Sequence, residues 1–203
     1  MLVQDVIEFF DSLASGWDET IQVDEKIVDE VLNSANVKED AIVLDVGCGT
    51  GVLIPYILEK GAEKVTGIDI SPNMARIAAE KNKSEKVEII CGDASSKGYD
   101  HRFDSIIVYN AYTHFYDPEL LVEKLCHYLK KDGVLCIAHS PGYENVNSMH
   151  EKYSHVTNLL PEMEKMKAIF ERHVKIKDQV DEKDLFLISG IKYWSFFCKI
   201  VQK

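Results

Sequence analysis

The chain has 203 residues, 46% of them hydrophobic and 28% charged, which suits a single folded domain with a substantial core. Its 23 basic and 34 acidic residues leave a formal charge of -11, which argues against a duplex-DNA or bulk-RNA binder, whose phosphate contacts want a basic face. The five cysteines are scattered and include no C-x-x-C pair, the N-terminal residues lack the basic start of a signal peptide, and no apolar run reaches membrane-spanning length, so a cytoplasmic protein is expected.

In chain order, Val6, Phe9, Phe10 and Leu13 follow helical spacing, as do Ile27, Val28, Val31, Leu32 and Ala35. Between them lies "ASGWDETIQ", a polar segment around Trp17. "AIVLDV" then reads as a buried strand, followed by a glycine loop and a helix from about Val52 to Lys60. "KVTGIDI" is the second strand, after which Ser71 and Pro72 suit the cap and first turn of a helix through Ala79. "VEIICGD" and "FDSIIVYNA" are the third and fourth strands. Asp117 and Pro118 open a helix through about Leu129, with Gly133 expected in its C-terminal cap region, and "VLCIAH" is the fifth strand. The segment after His139 reads as polar and irregular. A helix from about Pro161 to His173 and a closing strand pair, "VKIKDQVD" and "LFLISGIKYW", complete the chain. Strands alternating with helices imply an α/β fold, a parallel sheet covered on both faces.

The loop in "VLDVGCGTG" follows a strand and opens a helix, at the sheet edge where open α/β sheets bind ligands. Its glycines are Gly47, Gly49 and Gly51; a dinucleotide fingerprint, G-x-G-x-x-G, would need a glycine at Val52. Asp45, just before the glycines, would be unfavourable beside a pyrophosphate. It suits a ligand with a cationic or ammonium group, as S-adenosylmethionine has. Asp69 ends the second strand, where an acidic side chain can bind both ribose hydroxyls. Asp93 ends the third, within reach of an adenine amino group.

Together, "VLDVGCGTG", "GIDIS", "CGDA" and "FDSIIVYNAYTHFYDPE" resemble the class I S-adenosylmethionine-dependent methyltransferases, particularly the small-molecule and quinone-type branch, over about Ala41 to His139. The resemblance implies a Rossmann-like, doubly wound seven-stranded sheet, mostly parallel with an antiparallel last strand. It also implies a methyl transfer that yields S-adenosylhomocysteine. By the same resemblance Gly47, Gly49, Thr50 and Gly51 would line the methionine moiety and Asp45 would meet its amino group. Asp69 would hold the ribose, Ile70 would pack on the adenine, Asp93 and Ala94 would meet the adenine edge, and Asn110 and Ala111 would close the site. "NAYTHFYD" departs from the "NALHHFPD"-like form of relatives, leaving His114 as the histidine there.

One domain is expected: an N-terminal helical lid over 1–38 carrying Trp17, a cofactor core over 39–139, and a substrate-side segment with the closing strands over 140–203. His114, Tyr112 and His139 are the candidate general bases. Asn147 and His150 are candidate acceptor contacts, because a polar loop on a rigid scaffold commonly carries specificity. The plain alternatives stand beside these. The alternative for Asp45 is to cap the next helix or brace the glycine loop, and Cys48 is expected to fill a buried gap. Trp17 would serve as a core anchor, the histidines as structural hydrogen-bonding groups, and 140–160 as a connector. The histidines lack metal-ligand spacing, so no metal is expected. A small-molecule acceptor is expected, with no nucleic-acid partner, and the chain as a monomer or homodimer. An RNA or protein methyltransferase, a non-catalytic binder of the cofactor and an NAD-dependent dehydrogenase are the competing functions.

Overall fold

Strand β1 (Ile42–Val46) is apolar on both faces: Val43 packs into one group of buried side chains, Leu44 and Val46 into another. Such a strand belongs inside a sheet covered twice. The computed structural model describes residues 1–193 and sets β1 among seven strands. The others are β2 (Lys64–Asp69), β3 (Val87–Cys91), β4 (Phe103–Tyr109), β5 (Leu129–His139), β6 (Lys175–Asp181) and β7 (Phe186–Ile191). Their order is β3-β2-β1-β4-β5-β7-β6, with β1 to β5 parallel and β7 antiparallel to both neighbours. This is the doubly wound sheet expected, and the chain reverses its direction of travel between β1 and β4, which opens a crevice at their carboxyl ends.

The helices are α1 (Val3–Leu13), α2 (Trp17–Thr20), α3 (Glu25–Ser34), α4 (Ile54–Glu59), α5 (Pro72–Lys81), α6 (Pro118–Tyr128), α7 (Tyr143–His150) and α8 (Met163–Phe170). Side chains of α3 and α4 pack with Val43, Val65 and Ile107 on one face. Those of α6 and α8 pack with Leu44, Ile106 and Val108 on the other. The helix starts follow local chemistry. The Ser71 hydroxyl accepts the Met74 N–H at 3.2 Å and the Asp117 carboxylate accepts the Leu120 N–H at 3.0 Å, each with proline next in the chain. Among the described residues no helix is long and apolar enough to cross a membrane.

Several expectations need correction. Helix α6 does not end on Gly133. It stops at Tyr128, and Leu129 turns directly into β5. The orphan carbonyls are met from elsewhere: the Lys192 ammonium donates to Cys126 O (2.7 Å), His127 O (3.2 Å) and Leu129 O (3.0 Å). The helix expected from Val52 starts only at Ile54, because Gly51 has φ +80° and the chain must turn before it can wind. The helix expected from Pro161 to His173 spans only Met163–Phe170. The segment after His139 is not irregular throughout, since α7 forms there around buried Val146. The last residue of the expected strand pair, Trp194, lies outside the described residues.

Candidate active site

The glycine loop is held by β2. Gly47 and Cys48 donate their N–H groups to Ile68 O at 2.8 and 3.1 Å. Gly47 has φ +67°, and a Cβ placed there would lie 2.5 Å from the Ala111 methyl, so β1's loop closes on the end of β4 only because this residue has no side chain. Asp69 braces the loop: one carboxylate oxygen accepts the Gly49 N–H at 2.8 Å and the other the Ser71 N–H at 2.9 Å. Burial raises its pKa, against the pull of those two amides. Asp93 forms a tight local turn, accepting the Ser95 N–H at 2.9 Å and its hydroxyl at 2.7 Å.

Asp45 does neither of the structural jobs open to it. It is 2% exposed, and its Oδ2 meets no partner. Burial, reinforced by the neighbouring Asp69 charge, pushes its carboxyl up to about 7. A buried carboxylate oxygen without a partner costs free energy that a hydrogen-bond donor would recover. Cys48 beside it is buried, and burial together with the charges of Asp45 and Asp69 holds its thiol well above the ordinary range, which fits a filler and not a nucleophile.

These groups line one cavity of about 210 Å³. Asp45, Gly47, Gly49, Asp69, Ile70, Asp93, Ala94, Asn110 and Ala111 all contribute to its wall. Thr50 and Gly51, expected there too, do not; Thr50 is buried and its hydroxyl donates to Asp18 at 2.5 Å, while Lys81 holds the other Asp18 oxygen at 2.6 Å. Asp11 ties α1 to the start of α5, accepting from the Ser71 hydroxyl, from Asn73 N at 2.9 Å and from Asn73 Nδ2 at 3.1 Å. Val3, Val6, Phe10 and Trp17 thereby reach the cavity. Asp11 and Asp18 are absent from the expected site residues, because nothing in their spacing marks a partner some 30 to 60 positions away.

On the far side His114 lines the cavity with Tyr109, Phe115, Tyr116 and Asp117. His114 Nδ1 lies 3.1 Å from Val156 O, so Nδ1 carries the proton and Nε2 is left as an acceptor. Burial drives its pKa down to about 4, and the imidazole is neutral. The other candidates sit behind this wall and do not line the cavity. Tyr112 is 1% exposed with its hydroxyl unpartnered. His139 is not on an open rim: it ends β5 in the interior, its Nε2 unpartnered and its pKa pushed to about 3 by burial. The His150 ring centre is 5.4 Å from that of His114. Asn147 clamps Leu160, accepting its N–H at 2.7 Å and donating to its carbonyl at 3.0 Å. Among the described residues no three His, Cys, Asp or Glu side chains are grouped to hold a metal ion.

A crevice at the switch point of a doubly wound sheet, edged by three strand-end carboxylates and a glycine loop, defines a nucleoside-binding α/β protein. The comparisons carry this further. A family model described as a methyltransferase domain matches residues 44–137. The malonyl-[acyl-carrier protein] O-methyltransferase of Acetivibrio thermocellus is 30% identical over 147 residues, covering 71% of this chain and 52% of that protein. Phosphoethanolamine N-methyltransferase 1 of Zea mays is 37% identical over 119 residues, covering 56% of this chain and 24% of that protein. The chain thus spans about half the length, or less, of these two relatives. Among solved structures, the N-methyltransferase NodS of Bradyrhizobium japonicum in complex with S-adenosylhomocysteine superposes with a TM-score of 0.73 at 15% identity, over 94% of this chain and 98% of that one. Residues 44–137 match the methyltransferase-domain family, and the chain has the fold of that S-adenosylhomocysteine-bound N-methyltransferase.

Proposed function

We propose that this chain transfers the methyl group of S-adenosylmethionine to a small-molecule acceptor. The observation that carries the reading is the unpartnered, buried Asp45 oxygen at the glycine loop, in one cavity with Asp69, Asp93 and His114. When bound, the cofactor supplies a methyl group already activated on a sulfonium. Asp45 would accept its ammonium, which relieves the unpaired carboxylate. Asp69 has lone pairs left after bracing the loop and would accept the ribose hydroxyls. Ile70, Asp93 and Ala94 would take the adenine, and Asn110 and Ala111 the middle of the molecule.

Such a transfer needs alignment and dryness more than acid–base chemistry. We assign dryness to residues 1–38 as a lid over a single methyltransferase domain, with α1 and α2 latched by Asp11 and Asp18 and with Phe10 and Trp17 facing the site. Alignment falls to the His114 wall, fastened through Asn158, whose N–H meets Thr113 O at 2.7 Å and whose side chain meets Phe115 O at 2.8 Å. Tyr112, His139, Asn147 and His150 act through that wall, which they support from behind. Calorimetry with S-adenosylmethionine and with NAD, separately, tests the reading, and an acceptor screen following S-adenosylhomocysteine release extends it. Binding of the first and not the second is expected; the reverse would overturn it.

A further inference from the structure

We propose that His114, His139 and His150 form a proton-operated release for the His114 side of the cavity: in weak acid they take up protons together and part residues 143–160 from the wall, while the glycine-loop side stays closed. This goes beyond the methyl-transfer reading and does not depend on it. The first observation is the grouping. The three imidazoles come from three elements: the turn after β4, the end of β5 and the end of α7. The rings of His114 and His150 lie 5.4 Å apart, and His139 is close enough to feel the charge of either.

The second observation is what faces them. His114 Nδ1 lies 3.1 Å from Val156 O, and His150 bonds the Asn158 backbone. His139 Nε2 and His150 Nδ1 are buried without a partner. No carboxylate is among the groups that act on any of the three. From α1 the facing group is the Phe10 ring; Asp11 is spent on Ser71 and Asn73, and Glu8 on Gln4. From β7 it is Phe186, paired with His139. On α7 and the turn after it Glu144, Glu151 and Lys152 are exposed, as are Glu182, Lys183 and Asp184 between β6 and β7. His155 is exposed against Phe9. Asp117 caps α6, and the buried Tyr112 phenol feels Glu119 and Asp117 but no imidazole. An imidazolium formed in this cluster has no anion to receive it.

Burial first, then the neighbouring imidazoles, hold His114 near 4 and His139 near 3, against an ordinary 6.5. A histidine whose folded pKa is depressed supports the closed form fully above 6.5 and loses that support as pH falls through 6.5 toward its folded value. Once opened to water, the ring protonates at its ordinary pKa. At pH 5.5 that favours the open form by about tenfold for each ring, so His114 and His139 together raise the open fraction about 100-fold over its value at pH 7.5. His150 adds in the same direction. The segment that gives way is pinned by hydrogen bonds that opening hands to water: Asn158 to Thr113 O and Phe115 O, and Asn147 to Leu160. The glycine-loop side answers oppositely, since Asp45, at about 7, takes up its proton in the closed state as pH falls.

The test is hydrogen exchange of the full chain, without added ligands, read by mass spectrometry as protection factors, which remove the intrinsic pH dependence of amide exchange. Protection in residues 143–160 is expected to fall about 100-fold between pH 7.5 and 5.5 and to return on neutralising, while protection in residues 64–81 holds or rises. His114→Gln and His139→Gln each remove one titrating ring and are expected to cut that fall about tenfold. His155→Gln, which changes an exposed ring in the same segment, leaves the fall whole. Proton NMR of the unsubstituted chain gives the three histidine pKa values, so the proposal is tested even where a variant fails to fold. It is overturned by protection in 143–160 that changes less than about threefold, or by an equal fall in 64–81. Variants that keep the full fall overturn it too, as does a His114 or His139 pKa at or above the ordinary value of about 6.5.

Discussion

At the glycine loop two carboxylates are held by backbone N–H groups of adjoining loops and turns: Asp69 accepts from Gly49 and Ser71, and Asp93 from Ser95. Around His114 the partners come from far along the chain. Val156 meets its ring nitrogen, Phe10 lies edge-on 4.8 Å from the ring, and His150 approaches from α7. The first region keeps carboxylates in place with backbone N–H groups, and so retains acidic side chains on which a cationic ligand can settle. The second strips water from its imidazoles and makes them neutral. Burial acts in both, yet it raises carboxyl pKa values in one and lowers imidazole pKa values in the other, because in each it disfavours the charged form.

The largest effect that would sharpen this contrast belongs to Asp45. With its folded carboxyl near 7 against an ordinary 3.8, the free folded protein holds a proton there that the unfolded chain releases. Its contribution is therefore most favourable below pH about 4 and is lost as pH rises through about 7. At pH 8 Asp45→Asn is expected to be more stable than the unliganded parent, by up to about 4 kcal/mol, while at pH 4 the advantage disappears. Urea melts at the two pH values measure this, and a stability difference that did not change with pH would break the comparison. The same variant is expected to bind S-adenosylmethionine more weakly.

Next comes Gly47→Ala. The added methyl meets Ala111 and the backbone sits at φ +67°, so the seam between the glycine loop and the acceptor side must open. A loss of about 2–3 kcal/mol in cofactor affinity is expected by calorimetry. Asp69→Ala should follow at about 1.5–3 kcal/mol, since it removes the brace on Gly49 together with the acceptor for the ribose. Unchanged affinity in that variant would remove Asp69 from the site.

The smallest effect tests the other region. Asn147→Ala removes two hydrogen bonds to Leu160 and should cost about 1–2 kcal/mol of stability. Catalytic efficiency with the true acceptor should fall while cofactor affinity stays at the parent value. A fall in cofactor affinity instead would show that the two regions are not separable.

Much of the first region was legible in the residues themselves. The positions of the first five strands along the chain, the Ser71-Pro72 and Asp117-Pro118 helix starts, and carboxylates at the ends of β2 and β3 follow from short-range rules of backbone conformation and side-chain capping, which operate over a few positions of chain. The glycine positions were readable for the same reason, because a positive φ is a local demand. Tertiary structure alone decided which carboxylate braces the loop and which is left unpaired: Asp69 and Asp45 look equivalent until burial and distance separate them. It alone recruited Lys192 to end α6, set Asp11 and Asp18 as latches for α1 and α2, wound α7 around Val146, and made His114 neutral. Each of these depends on contacts between segments distant in sequence or on the exclusion of water. Neither is encoded in local spacing, and both exist only once the sheet has brought its strand ends together.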